Sequence, residues 1–486
     1  MSPHPNRRTT RTLPLEKVLR PSVLSFAEFS YLCTREPSKA TRALAKNKKA
    51  APLPAGILHL RGLHQHITQE MSMTQHNGTI SPNNLSCLLG VSRATIEAWG
   101  RSGACPIHTG ADGRRYLKLS ELGHIEEVRE MGVTKWEEEM GTTPACPYTS
   151  VELFAGGGGL ALGMEKAGFR HVLLNEYDKY ACQTLRKNHP EWNVAEGDIH
   201  GMDFTAYRDR VAFLSGGFPC QAFSYAGKRL GFEETRGTLF FELARAVKEI
   251  RPKAFLCENV RGLLEHDGGR TMETIRRVIA ELGYALVEPR VLKAIRYDVP
   301  QKRERLFLVA IRDDIAPHVR FRWPDVCPSV RTLRDALCKG TLYGTDVPPS
   351  PGQQYPEGKR KVMEMVPEGG DWRDLPEDVA RSYMKGSYNL GGGKTGMARR
   401  LSMDEPSLTL TCAPAQKQTE RCHPTETRPL TVREYARIQT FPDGWEFAGP
   451  LSAQYKQIGN AVPVNLAWAV GRSLIRLFND MHAQGL

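Results

Sequence analysis

The feature that most constrains this chain is an alternation. Between residues 149 and 312, short apolar runs bounded by glycine or an acid give way repeatedly to segments with helical spacing. Val151-Glu152-Leu153-Phe154 reads as a first strand, and Leu160, Met164 and Ala167 mark the inner face of the helix after it. Val172-Leu173-Leu174 leads to Glu176, and Gly197-Asp198-Ile199 and Val211-Ala212-Phe213-Leu214 follow. A helix through Leu239, Leu243 and Val247 precedes Phe255-Leu256-Cys257, and one through Ile275, Val278, Ile279 and Leu282 precedes Leu306-Phe307-Leu308-Val309. Runs that are apolar on both faces, separated by helices, predict an α/β domain with a doubly wound, mostly parallel sheet. Such sheets bind ligands at the carboxyl ends of their strands, so the residues after each run are the ones placed for chemistry.

Two of those places carry a signal. Gly156 to Gly159 follow the first strand, and the next strand ends in Glu176. A glycine run alone only permits a tight turn; with an acid at the end of the next strand it reads as a nucleoside site. Backbone approaches the ligand at the glycines, and the carboxylate holds ribose hydroxyls. Four successive glycines depart from the dinucleotide fingerprint, but an NAD site is the rival reading. The second place is Gly216-Gly217-Phe218-Pro219-Cys220-Gln221-Ala222-Phe223-Ser224. Pro219 fixes φ and removes a donor, so the chain turns and presents Cys220 at the sheet edge. A cysteine taken by itself is usually a small buried hydrophobe.

A chain of 486 residues is long enough for two to four domains. Its eleven cysteines include no C-x-x-C pair, which argues against a zinc ribbon or disulfide scaffold and for reduced thiols in a cytoplasm. No metal site is indicated. No apolar run approaches the length of a membrane span, and the arginine-bearing N-terminus lacks a signal-peptide core. The net charge of +12 favours a polyanionic partner. Residues 1 to 80 hold twelve Lys and Arg against four Asp and Glu, so the surplus is concentrated at one end.

Residues 1–78 read as a basic tail with little fixed structure, with Met71 and Met73 as alternative starts just before the first patterned segment. Residues 79–130 have helix-turn-helix spacing. Leu85, Leu88 and Leu89 share a face, Gly90 turns, Ser92 caps a helix carrying Ile96 and Trp99, and Asp112 to Tyr116 suit a wing. The module resembles small winged regulators and is expected to bind operator DNA. Residues 131–148 read as a linker and 149–326 as the catalytic domain. From 327 to 425 periodicity fades among Pro348, Pro349, Pro351 and Gly391 to Gly393, with basic residues at Lys359 to Lys361, Lys394, Arg399 and Arg400. Residues 426–486 complete the catalytic domain, opening with a Thr431–Glu434 capping box.

The glycine run, the Pro219-Cys220 turn, Glu258-Asn259-Val260, Gln301-Lys302-Arg303-Glu304-Arg305 and Gly459-Asn460-Ala461-Val462-Pro463 together resemble the cytosine-C5 DNA methyltransferase family, in its motif order. The resemblance implies the S-adenosylmethionine-dependent methyltransferase fold, with residues 327–425 as a small irregular target-recognition domain. S-adenosylmethionine would be held by Phe154, Gly156, Gly157, Gly158, Gly159, Glu176, Tyr177, Asp198, Ile199, Phe218, Asn460 and Val462. Catalysis would fall to Cys220, Glu258, Arg303 and Arg305, and contact with DNA to Gln221, Ser224, Asn259, Gln301, Thr409 and Leu410. Cytosine C5 is a poor nucleophile, and a thiolate added at C6 pushes electron density onto it. Glu258 would hydrogen-bond N3 and the exocyclic amine. Arg303 and Arg305, two apart on a strand, would share a face, with one guanidinium reaching the base or its phosphate. Ala222 stands where many members carry proline, without removing any reacting group.

The expectation is a DNA cytosine-C5 methyltransferase acting on double-stranded DNA, part of a restriction-modification system, monomeric in catalysis and dimeric if it occupies an operator. An RNA cytosine-C5 methyltransferase and a transcriptional regulator built on a methyltransferase scaffold are the alternatives.

Overall fold

The computed structural model describes residues 78–218, 239–389 and 395–486. The expected tail up to residue 77, Cys220, Gln221 and Ser224 lie outside the described residues.

The first module comprises β1 (Thr79–Ile80), α1 (Pro82–Leu89), α2 (Arg93–Ser102), β2 (His108–Thr109) and β3 (Arg115–Lys118). Strand β3 pairs antiparallel with both others. The Ser81 hydroxyl caps α1 by accepting from the Asn84 N–H (3.1 Å), and Ser92 caps α2 from the Thr95 N–H (3.1 Å). Leu85, Leu88 and Ile96 are buried between the helices. The module is thus a helical pair with a three-residue turn followed by a hairpin.

The expected linker at 131–148 is instead a docked segment. In α3 (Glu126–Gly132) and α4 (Trp136–Met140), Met131 and Trp136 are buried. The Arg472 guanidinium lies 4.5 Å over the Trp136 ring, and the Thr134 hydroxyl donates to the Val326 carbonyl (2.6 Å). The Lys135 N–H donates to Asp325 Oδ2 (3.0 Å). The acidic run reads as solvated only because Arg476, which pairs with Glu139, lies more than three hundred residues away.

The central sheet is built from β4 (Tyr148–Leu153), β5 (Phe169–Glu176), β6 (Val194–Glu196), β7 (Phe213–Gly217), β8 (Ala254–Asn259), β9 (Tyr284–Leu286) and β10 (Arg290–Lys293). After the short β11 (Gln301–Lys302) comes its last strand, β12 (Glu304–Arg312). Their order is β10-β12-β8-β7-β4-β5-β6, with β9 also on β12. Helices α5 (Gly159–Ala167), α6 (Lys179–Asn188), α7 (Leu239–Ile250) and α8 (Arg270–Glu281) alternate with the strands. From β6 across to β8 the pairs are parallel, whereas β12 runs antiparallel to β8, β9 and β10. The chain winds from β4 to β5 and β6, then crosses to β7 on the other side. The crevice between the carboxyl ends of β4 and β7 is therefore a topological switch point.

Beyond the sheet lie α9 (Leu333–Leu337), α10 (Glu357–Glu364), α11 (Glu377–Met384) and β13 (Ser407–Leu408), which pairs parallel with β11. The 327–425 stretch divides. Tyr355, Met363, Val366, Leu375, Ala380, Ala398 and Cys422 form a small core of their own, while Leu333, Leu337, Leu401 and Leu410 pack with the C-terminal helices. Those are α12 (Val432–Ile438), opened by the Thr431–Glu434 capping box, α13 (Leu451–Asn460) and α14 (Val464–Ala483).

Helix α14 returns to α5, and glycine permits the approach. A Cβ on Gly159 would stand 2.3 Å from the Val462 carbonyl oxygen, and one on Gly163 2.3 Å from the Ala467 Cβ. Phe478 of α14 meets Phe169 edge-on (5.6 Å) and Tyr148 (5.3 Å). Each such fully buried side chain contributes about 1.5–3 kcal/mol, so the last helix is integral to the core. No helix among the described residues is long and apolar enough to cross a membrane.

Candidate active site

A cleft of about 370 Å³ opens at the switch point. Its wall is formed by the turn after β4, the ends of β5, β7 and β8, and the α13–α14 junction. Phe154, Gly156, Gly157, Glu176, Phe218, Glu258, Asn259, Arg305, Asn460 and Val462 all line it. A larger hollow, about 640 Å³, lies elsewhere among Arg208, Arg251, Tyr284 and Arg312 and holds none of the expected site residues.

On the cofactor side, Phe154 takes φ 59°, a left-handed conformation that an aromatic residue holds only under constraint from its surroundings. The turn brings the Gly156 N–H to Glu176 Oε2 (2.7 Å), while Glu176 Oε1 accepts from the Tyr177 and Asp178 N–H groups (2.9 and 2.7 Å). The acid and the glycine turn are thus locked together, as their spacing predicts. Tyr177 is 77% exposed. Gly158 and Gly159 do not line the cleft; they give room to Trp445 and the Val462 carbonyl. Asp198 caps the turn after it and meets His200, and Ile199 is buried; neither lines the cleft.

The other half is held by β7, β8 and β12. Gly217 and Glu258 are register partners, and a Cβ on Gly217 would stand 2.8 Å from Glu258 Oε2. Glu258 Oε1 is paired with Arg305 Nε at 2.7 Å. Burial pushes the Glu258 carboxyl above the ordinary carboxylate range, against the pull of Arg305 and Arg303. The Asn259 side chain donates to the Phe218 carbonyl (2.7 Å), fixing the chain where it leaves β7 toward residue 219.

Four residues expected at the catalytic centre or on DNA have their side chains turned into the protein. Arg303 is 1% exposed, and its guanidinium donates to the carbonyls of Leu410 (3.1 Å) and Gly459 (2.7 Å). Arg303 and Arg305 therefore do not present their guanidiniums together: Arg303 is the break between β11 and β12, whereas Arg305 lies within β12. Gln301 is fully buried in hydrogen bonds to Gln439 and Leu410. The Thr409 hydroxyl donates to the Lys302 carbonyl (2.5 Å), and Leu410 is buried.

Two features were not anticipated. Glu152, inside the first strand, lies at the cleft floor, 1% exposed. Its Oε2 accepts from the Ser215 hydroxyl (3.1 Å), its Oε1 lacks a hydrogen-bond partner among the described residues, and burial pushes its pKa up to about 8. The signal was an acid within a run otherwise apolar on both faces. Across the rim, Asp178 of the α6 cap pairs with Lys456 of α13 (3.0 Å). Away from the cleft, Glu165, His189 and Glu191 bring ligand-type atoms within 4.8 Å of one another, but Glu165 already accepts from the Trp192 indole N–H.

Fold and cleft define an α/β enzyme with a nucleoside-type pocket beside a buried carboxyl–guanidinium pair. The chain belongs to the C-5 cytosine-specific DNA methylase family, which residues 148–476 match. It is 60% identical over 403 residues to Type II methyltransferase M.Eco47II of Escherichia coli, covering 83% of this chain and 96% of that protein. It is 58% identical to M.PspPI of Psychrobacter sp. (strain TA137), over 80% of this chain and 94% of the relative. M.Sau96I of Staphylococcus aureus is 51% identical, over 69% of this chain and 77% of its own. The chain is a DNA cytosine-C5 methyltransferase whose methyl donor is S-adenosylmethionine.

Glu152 offers a pH test. Its folded pKa lies above the unfolded value near 4.3, so the stability tied to its proton is complete below that value and lost as pH rises through about 8. Glu152→Gln should gain melting temperature relative to wild type between pH 6 and 9 and show little gain at pH 5. Parallel thermal melts check this, and a pH-independent difference contradicts it.

Proposed function

We propose that this chain methylates C5 of a cytosine flipped out of a specific double-stranded DNA sequence, through a covalent bond from Cys220 to C6, within a restriction-modification system. The observation that carries the reading is the Gly217–Glu258 register, with Glu258 held by Arg305.

The cleft suits the donor. Glu176 beside the Gly156 amide fits ribose hydroxyls and the partnerless, buried Glu152 Oε1 a cationic group, while Tyr177, which does not line the cleft, keeps its assignment by the family pattern alone. Phe154, Gly157, Phe218, Asn460 and Val462 close the pocket, and Asp198 and Ile199 keep their adenine assignment by the family pattern alone. S-adenosylmethionine supplies an electrophilic methyl group when bound.

Cys220 follows Gly217 by three residues, which bounds the separation of their α-carbons at about 11 Å. As thiolate it adds to C6, and the displaced electron pair makes C5 nucleophilic. A neutral Glu258 donates its carboxyl proton toward N3 and accepts from the exocyclic amine, stabilising the electron-rich ring. Arg305 holds Oε1, directing Oε2 to the Gly217 side. Methyl transfer leaves S-adenosylhomocysteine; water then takes the C5 proton, its electron pair forms the C5–C6 double bond, and the C6–sulfur bond breaks to release the thiolate. Gln221, Ser224 and Asn259 keep their DNA-contact assignment by the family pattern alone. C5 and C6 are stacked within a duplex, so the base must swing out, at an unstacking cost of a few kcal/mol.

Glu258→Gln keeps a donor and an acceptor but cannot hand over the carboxyl proton. It should lower kcat by about 10²–10⁴ while leaving S-adenosylhomocysteine affinity within a few-fold; bisulfite-read methylation and calorimetry check both. Wild-type kcat in the variant contradicts the role, and a matched assay on transfer RNA tests the RNA alternative.

A second role is favoured by the first module: operator binding that represses the enzyme's own operon. Arg115 is held bidentately by Glu97, and Arg93 also pairs with Glu97, whereas Arg114 at the hairpin tip is 88% exposed with only the exposed Asp112 beside it (3.6 Å) and Arg101 lies in the last turn of α2. Arg101→Glu with Arg114→Glu should weaken binding to the upstream promoter at least about tenfold while methylation persists. An unchanged promoter footprint contradicts the role.

A further inference from the structure

Gln301 and Arg303, expected to touch DNA, belong to a buried network that links the cofactor wall to the Thr409–Leu410 segment. The Leu410 peptide is gripped at both ends. Its N–H donates to Gln301 Oε1 (3.0 Å), and its carbonyl accepts from Arg303 (3.1 Å). The same pair reaches the carboxyl end of α13. Arg303 donates directly to the Gly459 carbonyl (2.7 Å). Gln301 donates to Gln439 Oε1 (2.8 Å), and Gln439 in turn donates to the carbonyls of Ile458 (2.7 Å) and Ala461 (3.1 Å). Gln301 and Gln439 are fully buried, and Arg303 is 1% exposed.

The backbones themselves touch. A Cβ on Gly459 would stand 2.3 Å from the Thr411 carbonyl oxygen, so no side chain separates α13 from that segment. The Cys412 thiol donates to Asn460 Oδ1 (3.1 Å). Asn460, Ala461 and Val462 line the cleft, while Arg305, two residues beyond Arg303, holds Glu258. Gln301, Gln439 and both terminal nitrogens of Arg303 are hydrogen-bonded across this junction, and Arg303 Nε alone of the three side chains lacks a partner among the described residues, so a shift of the cofactor wall is transmitted to the Leu410 peptide.

We infer that Gln439, with Arg303 and Gln301, is a positioning residue that couples occupancy of the cofactor cleft to the seating of the duplex against residues 409–412. It touches neither ligand. The inference rests on the assignment of the cleft to S-adenosylmethionine and on the family-pattern assignment of the Thr409–Leu410 segment, here extended to its neighbours Thr411 and Cys412, to the DNA side. Coupling is reciprocal: if duplex tightens cofactor binding by some factor, cofactor tightens duplex binding equally.

The test uses the full chain, S-adenosylhomocysteine as the cofactor probe and a duplex that the wild-type enzyme methylates. The dissociation constant of the probe is measured by calorimetry with and without duplex, for wild type, Gln439→Met and Arg303→Lys. Met matches glutamine in length without its polar atoms, and lysine keeps the charge but cannot fork to two carbonyls. Expected is a duplex-dependent tightening of the probe in wild type that falls at least fivefold toward unity in a variant that remains folded, with binary affinities changed less than that. A coupling factor within twofold of wild type in a folded variant overturns the inference, as does wild type that binds both ligands without coupling. Failure of wild type to bind the probe at all rejects the assignment beneath it instead. Should Gln439→Met not fold, Arg303→Lys decides on the same criterion.

Discussion

A carboxyl group held between burial and a guanidinium is the interaction on which this site depends. Glu258 ends a parallel strand, where the sheet places its ligands, and Arg305 begins an antiparallel one. Were β12 parallel to β8, its first residues would lie at the far edge of the sheet. Reversal brings Glu304 and Arg305 to the carboxyl end of β8, where Leu306 pairs with Asn259 and Arg305 reaches Glu258. Burial favours the neutral acid and Arg305 the charged one, so the carboxyl is poised above its ordinary range without being isolated. A group so balanced can both hydrogen-bond a pyrimidine edge and give up a proton to it.

The cleft around that pair is assembled from distant parts of the chain. The glycine turn and Glu176 come from the first two strands of the sheet, Glu258 from β8, Arg305 from β12, and Asn460 and Val462 from the chain's final sixty residues. What unites them is close packing at small residues. Gly159 and Gly163 admit the α13–α14 junction, and Gly459 admits the backbone of Thr411. These contacts join the cleft wall at Asn460 to Val462 and the Leu410 peptide through touching backbones and buried hydrogen bonds.

Much of this was legible in the chain itself. Apolar runs located the strands, the acid at the end of the second one found its glycine partner, and the Thr431–Glu434 box opened a helix where its spacing required. What periodicity could not supply is the identity of the opposite surface. Arg303 and Arg305 look alike at two-residue spacing, yet Arg303 meets carbonyls 107 and 156 positions onward while Arg305 meets Glu258. Trp136 and Glu139 read as part of a charged linker until Arg472 and Arg476 cover them. Glu152 was visible as an anomaly, an acid inside a covered strand, but its place at the cleft floor follows only from the fold. The residue at the centre of the proposed chemistry, Cys220, lies outside the described residues, and its role is carried by sequence and tether length.

The most direct measurement is therefore chemical. A methylated duplex sequence is resynthesised with 5-fluorocytosine at the target position, incubated with the enzyme and S-adenosylmethionine, digested, and the adduct mapped by mass spectrometry. The account predicts a single cross-link, on the sulfur of Cys220 and carbon 6 of the base, that vanishes in Cys220→Ser. A cross-link on any other residue, or undiminished methylation by Cys220→Ser, would contradict it.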